Sequence, residues 1–362
     1  MMLAQLKKPD TSFQAFFRHR RVGDRYVITN YEGGYAILTQ EQFGAFIEGR
    51  IPKGSPLYVE LAAKNFIRAE FNMARAVEAL RVRKRHLNYG PNLQVFVVTL
   101  RCNETCVYCH ASRAEMDAVH TDMTTEIADK AIALALQSTS PSITVEFQGG
   151  EPLVNYPIVQ YVIEQITERN KAVGKQLEFT MVTNLALMDE EKMRYLLDKR
   201  VQLCTSIDGP ANLHDKQRKL PGLSAHKAAS YWIRRINKAY EEMGLDTSLY
   251  HVEALLTTTR ETLPRWKEVV DTYVDLGCRA LFLRPIDPFG FADKTGSRTE
   301  YPRADYHRYY QTAVDYMIEL NKQGVQILER YAAIFLTKII AGEDPNFLDI
   351  RNPVGAAIGQ MA

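Results

Sequence analysis

The sequence predicts an α/β fold on a parallel sheet, with a small α+β module ahead of it and a helical tail behind. Three observations point there. From residue 94 onward, six apolar, β-branched runs alternate with helical patterns. The residues least expected of ordinary loops fall where those runs end, which is where parallel sheets bind ligands. Before residue 87 the texture differs, with a hairpin and short amphipathic helices.

Taken in order, Arg25–Thr29 and Tyr35–Leu38 flank Glu32-Gly33-Gly34 and read as a hairpin. Thr39 and Gln42 have capping-box spacing and open a short helix through Phe46 and Ile47. Helical stretches follow around Leu57–Phe66 and Phe71–His86, so residues 1–87 read as a winged-helix-like module. Its basic end, Arg81-Val82-Arg83-Lys84-Arg85-His86, suits the negative pole of a helix better than an RNA patch. Asn88-Tyr89-Gly90-Pro91 marks the boundary. The core, 88–300, carries strand-like runs at 94–100, 143–147, 177–183, 201–207, 249–258 and 278–284. Ile127, Ala131, Leu134 and Ala135 give the expected buried stripe of an intervening helix. Six such units predict a sheet, open or curled into a partial barrel. A tail, 301–362, is expected to pack helically on the core from Asp305 to about Ile340.

Composition narrows the function classes. Lys+Arg at 45 against Asp+Glu at 43 leaves +2, so no global field favours nucleic acid or an anionic membrane. The first ten residues lack a signal peptide's apolar core, and the apolar run 331–336 is too short to span a bilayer. Five cysteines, three of them clustered, do not form a disulfide framework. A reducing cytoplasm is the expected location.

Those three are Cys102, Cys106 and Cys109, spaced Cys-x3-Cys-x2-Cys directly after the first run. Three thiolates on one loop can hold three corners of an iron–sulfur cube and leave one iron open for chemistry. Zinc with His110 as fourth ligand is the alternative. Structural zinc sites usually join two hooks distant in sequence, so the spacing favours iron–sulfur. Tyr108, before the last cysteine, offers a face on which adenine can stack. Cys204 and Cys278 fall within apolar runs and read as buried structural thiols. Gln148-Gly149-Gly150-Glu151-Pro152 ends the second run, Thr183-Asn184 the third, and Ser206-Ile207-Asp208-Gly209-Pro210 the fourth. Arg284-Pro285 ends the sixth and leads to Phe289-Gly290-Phe291, with 283–291 a candidate substrate wall. Glycines let backbone approach a ligand, and a carboxylate can accept from an ammonium.

With these motifs in this order, residues 92–290 resemble a radical S-adenosylmethionine (SAM) enzyme of the peptide-maturase group. The likeness is to anaerobic sulfatase maturases and their SPASM-type relatives. The resemblance implies a partial (β/α)6 barrel, one 4Fe–4S cluster on Cys102, Cys106 and Cys109, and SAM. It places Tyr108, Gln148, Gly149, Gly150, Glu151, Ser206, Asp208 and Arg218 around SAM, with Arg218 facing its carboxylate and Thr183 and Asn184 near the ribose. It names no certain catalytic residue. The implied chemistry is reductive cleavage of SAM to a 5′-deoxyadenosyl radical that modifies a ribosomally made peptide. An external electron donor such as flavodoxin or ferredoxin and a partner maturase go with it; nucleic acid and membrane do not.

Val27–Asn30, Tyr35–Leu38, Leu281–Pro285 and the ending Gly355–Gln360 most resemble the His-Xaa-Ser system maturases. Such maturases carry a small N-terminal module that captures a leader peptide as an added strand. They continue into a cysteine-rich extension, whereas this chain has Val354 where its first cysteine is sought and none after Cys278. The sequence is therefore expected to stop before an auxiliary-cluster domain, and the alternative function is an impaired peptide-binding partner.

Overall fold

A computed structural model describes residues 12–83, 88–111, 113–287, 289–341 and 359–361. Residues 1–10, the basic run 84–86, Pro288 and 354–358, on all of which the sequence raised expectations, lie outside the described residues. The chain divides into two compact units, Met1–Asn88 with Ile334–Asn346 and Tyr89–Ala333 with Phe347–Ala362.

In the first unit, β1 (Arg18–Val22), β2 (Arg25–Thr29) and β3 (Tyr35–Thr39) form an antiparallel sheet in that order. Asn30 shapes the hairpin, because its Oδ1 accepts from Gly34 N at 2.8 Å. Helices α1 (Gln40–Ile47), α2 (Pro56–Ala63) and α3 (Met73–Arg83) follow. Ile28, Leu38, Phe43, Phe46, Leu61 and Phe66 form the core. The expected capping box is present, with Gln42 N donating to Thr39 Oγ1 at 3.1 Å and Thr39 N to Gln42 Oε1 at 2.9 Å. Thr39→Ala is expected to cost this unit about 1 kcal/mol, read as a lower urea midpoint. Every residue of β1, an edge strand, is exposed.

The second unit opens with β4 (Leu93–Val97) and the two-residue β5 (Thr105–Cys106). The chain then alternates through α4 (Thr125–Leu136), β6 (Ser142–Gln148), α5 (Tyr156–Asn170), β7 (Gln176–Val182), α6 (Glu190–Asp198) and β8 (Val201–Ser206). Next come α7 (Ala211–Gln217), β9 (Arg218–Lys219), α8 (Ala225–Glu242), β10 (Glu253–Thr257) and α9 (Trp266–Asp275). Short strands β11 (Ala280–Leu281) and β12 (Leu283–Arg284) precede α10 (Phe291–Thr299) and α11 (Arg303–Lys322). The strands β4, β6, β7, β8, β10 and β12 pair in parallel, each beside the next, as the six strands of a partial barrel, and β14 (Gly359–Met361) adds a seventh, parallel to β4.

One face of this sheet is apolar and the other polar. In β6, Ile143, Val145 and Phe147 are wholly buried under the helices, each worth about 1.5–3 kcal/mol. Between them Thr144, Glu146 and Gln148 point to the half-buried face, where Thr180 Oγ1 donates to Glu146 at 3.3 Å. That polar face runs up to the strand ends. No described helix is long and apolar enough to cross a membrane.

Three expectations need correction. The buried stripe of α4 is Ala128, Ala131, Ile132 and Ala135, while Ile127 and Leu134 are exposed, because small residues let α4 lie close to its neighbours. The sixth run is split, with β11 pairing with β13 (Leu328–Glu329) and β12 with β10. Glu329 marks the break by accepting from Leu283 N at 3.3 Å. Cys278 is buried but precedes its strand, and burial pushes its thiol and that of Cys204 up to about 12.

The expected tail is helical in α11, but β13 interrupts it and its residues Ile334–Asn346 group with the first unit. In α11, Tyr309, Ala313 and Met317 are buried, and Tyr316 donates to Asp271 at 2.7 Å.

Candidate functional site

The ends of β4, β6, β7, β8, β10 and β12 open into one cavity of about 210 Å³. The loop after β4 brings Cys102, Cys106 and Cys109; β6 leads to Gln148–Glu151, β7 ends in Val182–Asn184, and β8 in Ser206. Leu255–Thr257 and Arg284 complete the wall from β10 and β12.

The cysteine loop is held from three sides. Cys102 N donates to Ala114 O at 3.2 Å, and Cys102 Sγ accepts from Glu104 N at 3.4 Å. On the second side, β5 pairs antiparallel with β9, setting Cys106 opposite Arg218. On the third, Phe291 N donates to Cys109 O at 2.8 Å and Thr295 Oγ1 to Val107 O at 2.5 Å. Gly290, at φ 61°, lies where a Cβ would stand 2.6 Å from His110 O. Of the candidate wall 283–291, Arg284 alone among the described residues lines the cavity, and Gly290 and Phe291 instead brace the cysteine loop.

Burial pushes the Cys102 thiol up to about 12 and the Cys106 thiol well above its ordinary value. Metal ligation would override this, since a coordinating thiol gives up its proton. Three thiols on one loop that all line the same cavity suit a cluster, whose cysteines each bind a different iron.

Gly149 and Gly150 serve the chain itself. Gly150 N donates to Thr99 O and Glu151 N to Arg101 O, both at 2.9 Å, which ties the end of β6 to the segment between β4 and Cys102. Glu151 is buried and its carboxylate is already engaged. Oε1 accepts from Leu153 N at 2.9 Å and from Thr183 Oγ1 at 2.7 Å, and Oε2 accepts from Asn184 N at 2.7 Å. The expected partner was an ammonium; the observed partners clamp the ends of β6 and β7 together. Asn184 Nδ2 donates to Asn103 Oδ1 at 2.7 Å, joining β7 to the cysteine loop.

Burial, opposed by these hydrogen bonds, pushes the Glu151 carboxyl from its ordinary 4.5 up to about 7. Between those values the folded chain holds a proton the unfolded chain has lost, so stability falls as pH rises from about 4.5 to about 7. The shift corresponds to roughly 3 kcal/mol. Glu151→Gln is expected to lower stability at acid pH, where its amide meets donors, and to flatten the slope across that window. Denaturant titrations at several pH values check this.

Tyr108, Asp208 and Arg218 form one linked group. Tyr108 lines the cavity with little of its surface exposed, and the Arg218 guanidinium stands 5.3 Å over its ring. Its hydroxyl donates to Asp208 Oδ2 and accepts from Arg218 Nε at 2.6 Å. Asp208 is wholly buried behind Arg218 and does not line the cavity. The sequence reading passed over Glu104, 2% exposed within the cysteine loop, although a carboxylate between metal-ligand candidates was a visible signal. It also passed over Leu255–Thr257, for which Leu-Leu-Thr gave none.

Residues 96–242 match the radical SAM superfamily. The AdoMet-dependent heme synthase of Oleidesulfovibrio alaskensis is 28% identical over 56% of this chain and 47% of its own length. The radical SAM cyclopropyl synthase of Paramaledivibacter caminithermalis is 26% identical over 58% of this chain and 48% of its own. This chain thus spans about half the length of these curated relatives. The solved structure of native anSMEcpe with bound AdoMet superposes with a TM-score of 0.57 at 19% identity, covering 70% of this chain and 67% of that one.

Proposed function

We propose, for a chain that carries a radical SAM domain over residues 96–242, that Cys102, Cys106 and Cys109 hold three irons of its cluster. The cofactors of such a domain are one 4Fe–4S cluster and SAM. Bound together they supply reductive cleavage of SAM and a 5′-deoxyadenosyl radical that takes a hydrogen atom from a substrate. The observation that carries the reading is that the three thiols and the ends of β4, β6, β7, β8, β10 and β12 share one cavity.

Within that cavity the chain's own residues position and enclose. Gln148, Ser206, Thr183 and Asn184 offer polar groups to the cavity, and Val182, Leu255 and Leu256 add apolar lining between them. Arg218 presents cationic charge for a carboxylate, while its Nε meets Tyr108 and Asp208 and its Nη1 meets Glu104 and Cys106.

The substrate we assign is a ribosomally made peptide and, more finely, one with His-Xaa-Ser repeats. Support comes from the sulfatase-maturating enzyme of Clostridium perfringens, 21% identical over 67% of this chain and 64% of its own length. The winged-helix-like first unit adds to it, since the exposed edge of β1 suits an added peptide strand. An external reductant such as flavodoxin or ferredoxin in a reducing cytoplasm completes the reading.

The test is anaerobic reconstitution with reductant and SAM. Formation of 5′-deoxyadenosine is expected, with a mass change on a His-Xaa-Ser peptide. No deoxyadenosine from a cluster-loaded chain overturns the enzyme reading. Deoxyadenosine without change to any peptide overturns the substrate class, and cluster and SAM binding without turnover favours the impaired partner.

A further inference from the structure

Arg218 faces more negative charge than one guanidinium neutralises. Its Nη1 lies 3.5 Å from Glu104 Oε2 and its Nε 3.4 Å from Asp208 Oδ2. Those carboxylates are 2% and 0% exposed, so water screens neither. Nη1 also donates to Cys106 Sγ at 3.6 Å. The contact is built into the backbone, because β5 and β9 pair Cys106 with Arg218 and Val107 N donates to Gln217 O at 2.9 Å. The Tyr108 hydroxyl, held by Asp208, anchors Nε and fixes the guanidinium plane.

We propose that Arg218 is a positioning residue that sets the reduction potential of the cluster through Cys106 Sγ, in addition to any contact with SAM. This rests on the reading that the three cysteines hold a cluster. Hydrogen bonds to ligand sulfur and nearby net charge are the protein's levers on such potentials. An N–H aimed at the sulfur and a fixed positive charge both favour the added electron. Glu104 acts in the opposite sense. Its Oε2 is 3.7 Å from the same sulfur, and beside a thiolate ligand it is a like charge that disfavours reduction. One sulfur is thus addressed by two buried groups of opposite sign, and the potential reflects their balance.

The experiment is a redox titration of the anaerobically loaded full chain without SAM, followed by electron paramagnetic resonance of the reduced cluster. At the wild-type midpoint, Arg218→Gln is expected to lower the ratio of reduced to oxidised cluster about tenfold, a shift of about 59 mV for one electron. Arg218→Lys, which keeps the charge but not the planar edge, is expected to fall between, and Glu104→Gln to move the midpoint upward. Variants that load iron and titrate at the wild-type midpoint overturn the proposal, even if SAM affinity drops. Failure of both Arg218→Gln and Glu104→Gln to load iron also overturns it and assigns the network to cluster assembly. A wild-type chain that holds no cluster instead overturns the reading beneath it.

Discussion

Cys109→Ala leaves the chain folded but unable to hold its cluster. Cys109 suits the test because the loop holds it through backbone, with Phe291 N on its carbonyl, so the substitution leaves that brace in place. Its side chain is only partly buried, which keeps the cavity left behind small. Losing one of three thiolates removes an anchor from the cluster itself. Iron content and 5′-deoxyadenosine formation are therefore expected to fall by more than roughly a hundredfold, the upper end of what loss of a mere supporting contact costs a metal site. Circular dichroism should match the wild type. Cys204→Ala is the control, a thiol on β8 that does not line the cavity, and it should keep both iron and turnover. Equal iron in the two variants would refute the assignment.

Gly149→Ala should act through the backbone alone. A methyl there would stand 2.2 Å from Thr99 O, and at Gly150 it would stand 2.4 Å from the carbonyls of both Leu100 and Arg101. Those atoms belong to the segment entering the cysteine loop and cannot swing aside as a side chain can. Overpacking of this kind costs about 3 kcal/mol or more. In a unit of this size that lowers the melting temperature by roughly 6–12 °C, measured on the metal-free chain. Iron loading should fall as well, because the shift displaces Cys102. Gly44→Ala makes the contrast. It sits inside α1 with nothing within 4 Å, and helix propensity alone predicts a gain of up to about 1 kcal/mol. A G149A variant as stable as G44A would mean that the close approach at the end of β6 is not needed.

Much of the site was legible because its residues carry local signals. Cysteine spacing, a glycine pair and polar residues closing apolar runs are visible without a fold, and parallel β–α alternation says that run ends meet. What stayed hidden depends on how side chains share space. Nothing in the sequence says that Glu151 turns back to clamp Thr183 and Asn184, since its partners lie 32 and 33 residues away. Nor does the sequence show that Arg218 lies over the Tyr108 ring. The fifth strand end contributes plain Leu255–Thr257, residues any strand could carry. The offset stripe of α4 has a similar cause. Periodicity finds a helical face, but which of two overlapping faces turns inward is set by the neighbours it meets.

The two-residue ladder between β5 and β9 also sets a schedule. It joins Cys106 to Arg218, 112 residues further along the chain. At ribosomal speeds of about 5–20 residues per second, the cysteines emerge on the order of ten seconds before the segment that closes around them. During that interval the thiols have neither their ladder nor their guanidinium. Nascent chains halted before residue 218 should therefore remain open to alkylating reagents at Cys106, and chains halted well beyond Lys219 should be protected. Cluster insertion in the cell would then be a late event, waiting on a part of the protein made long after its own ligands.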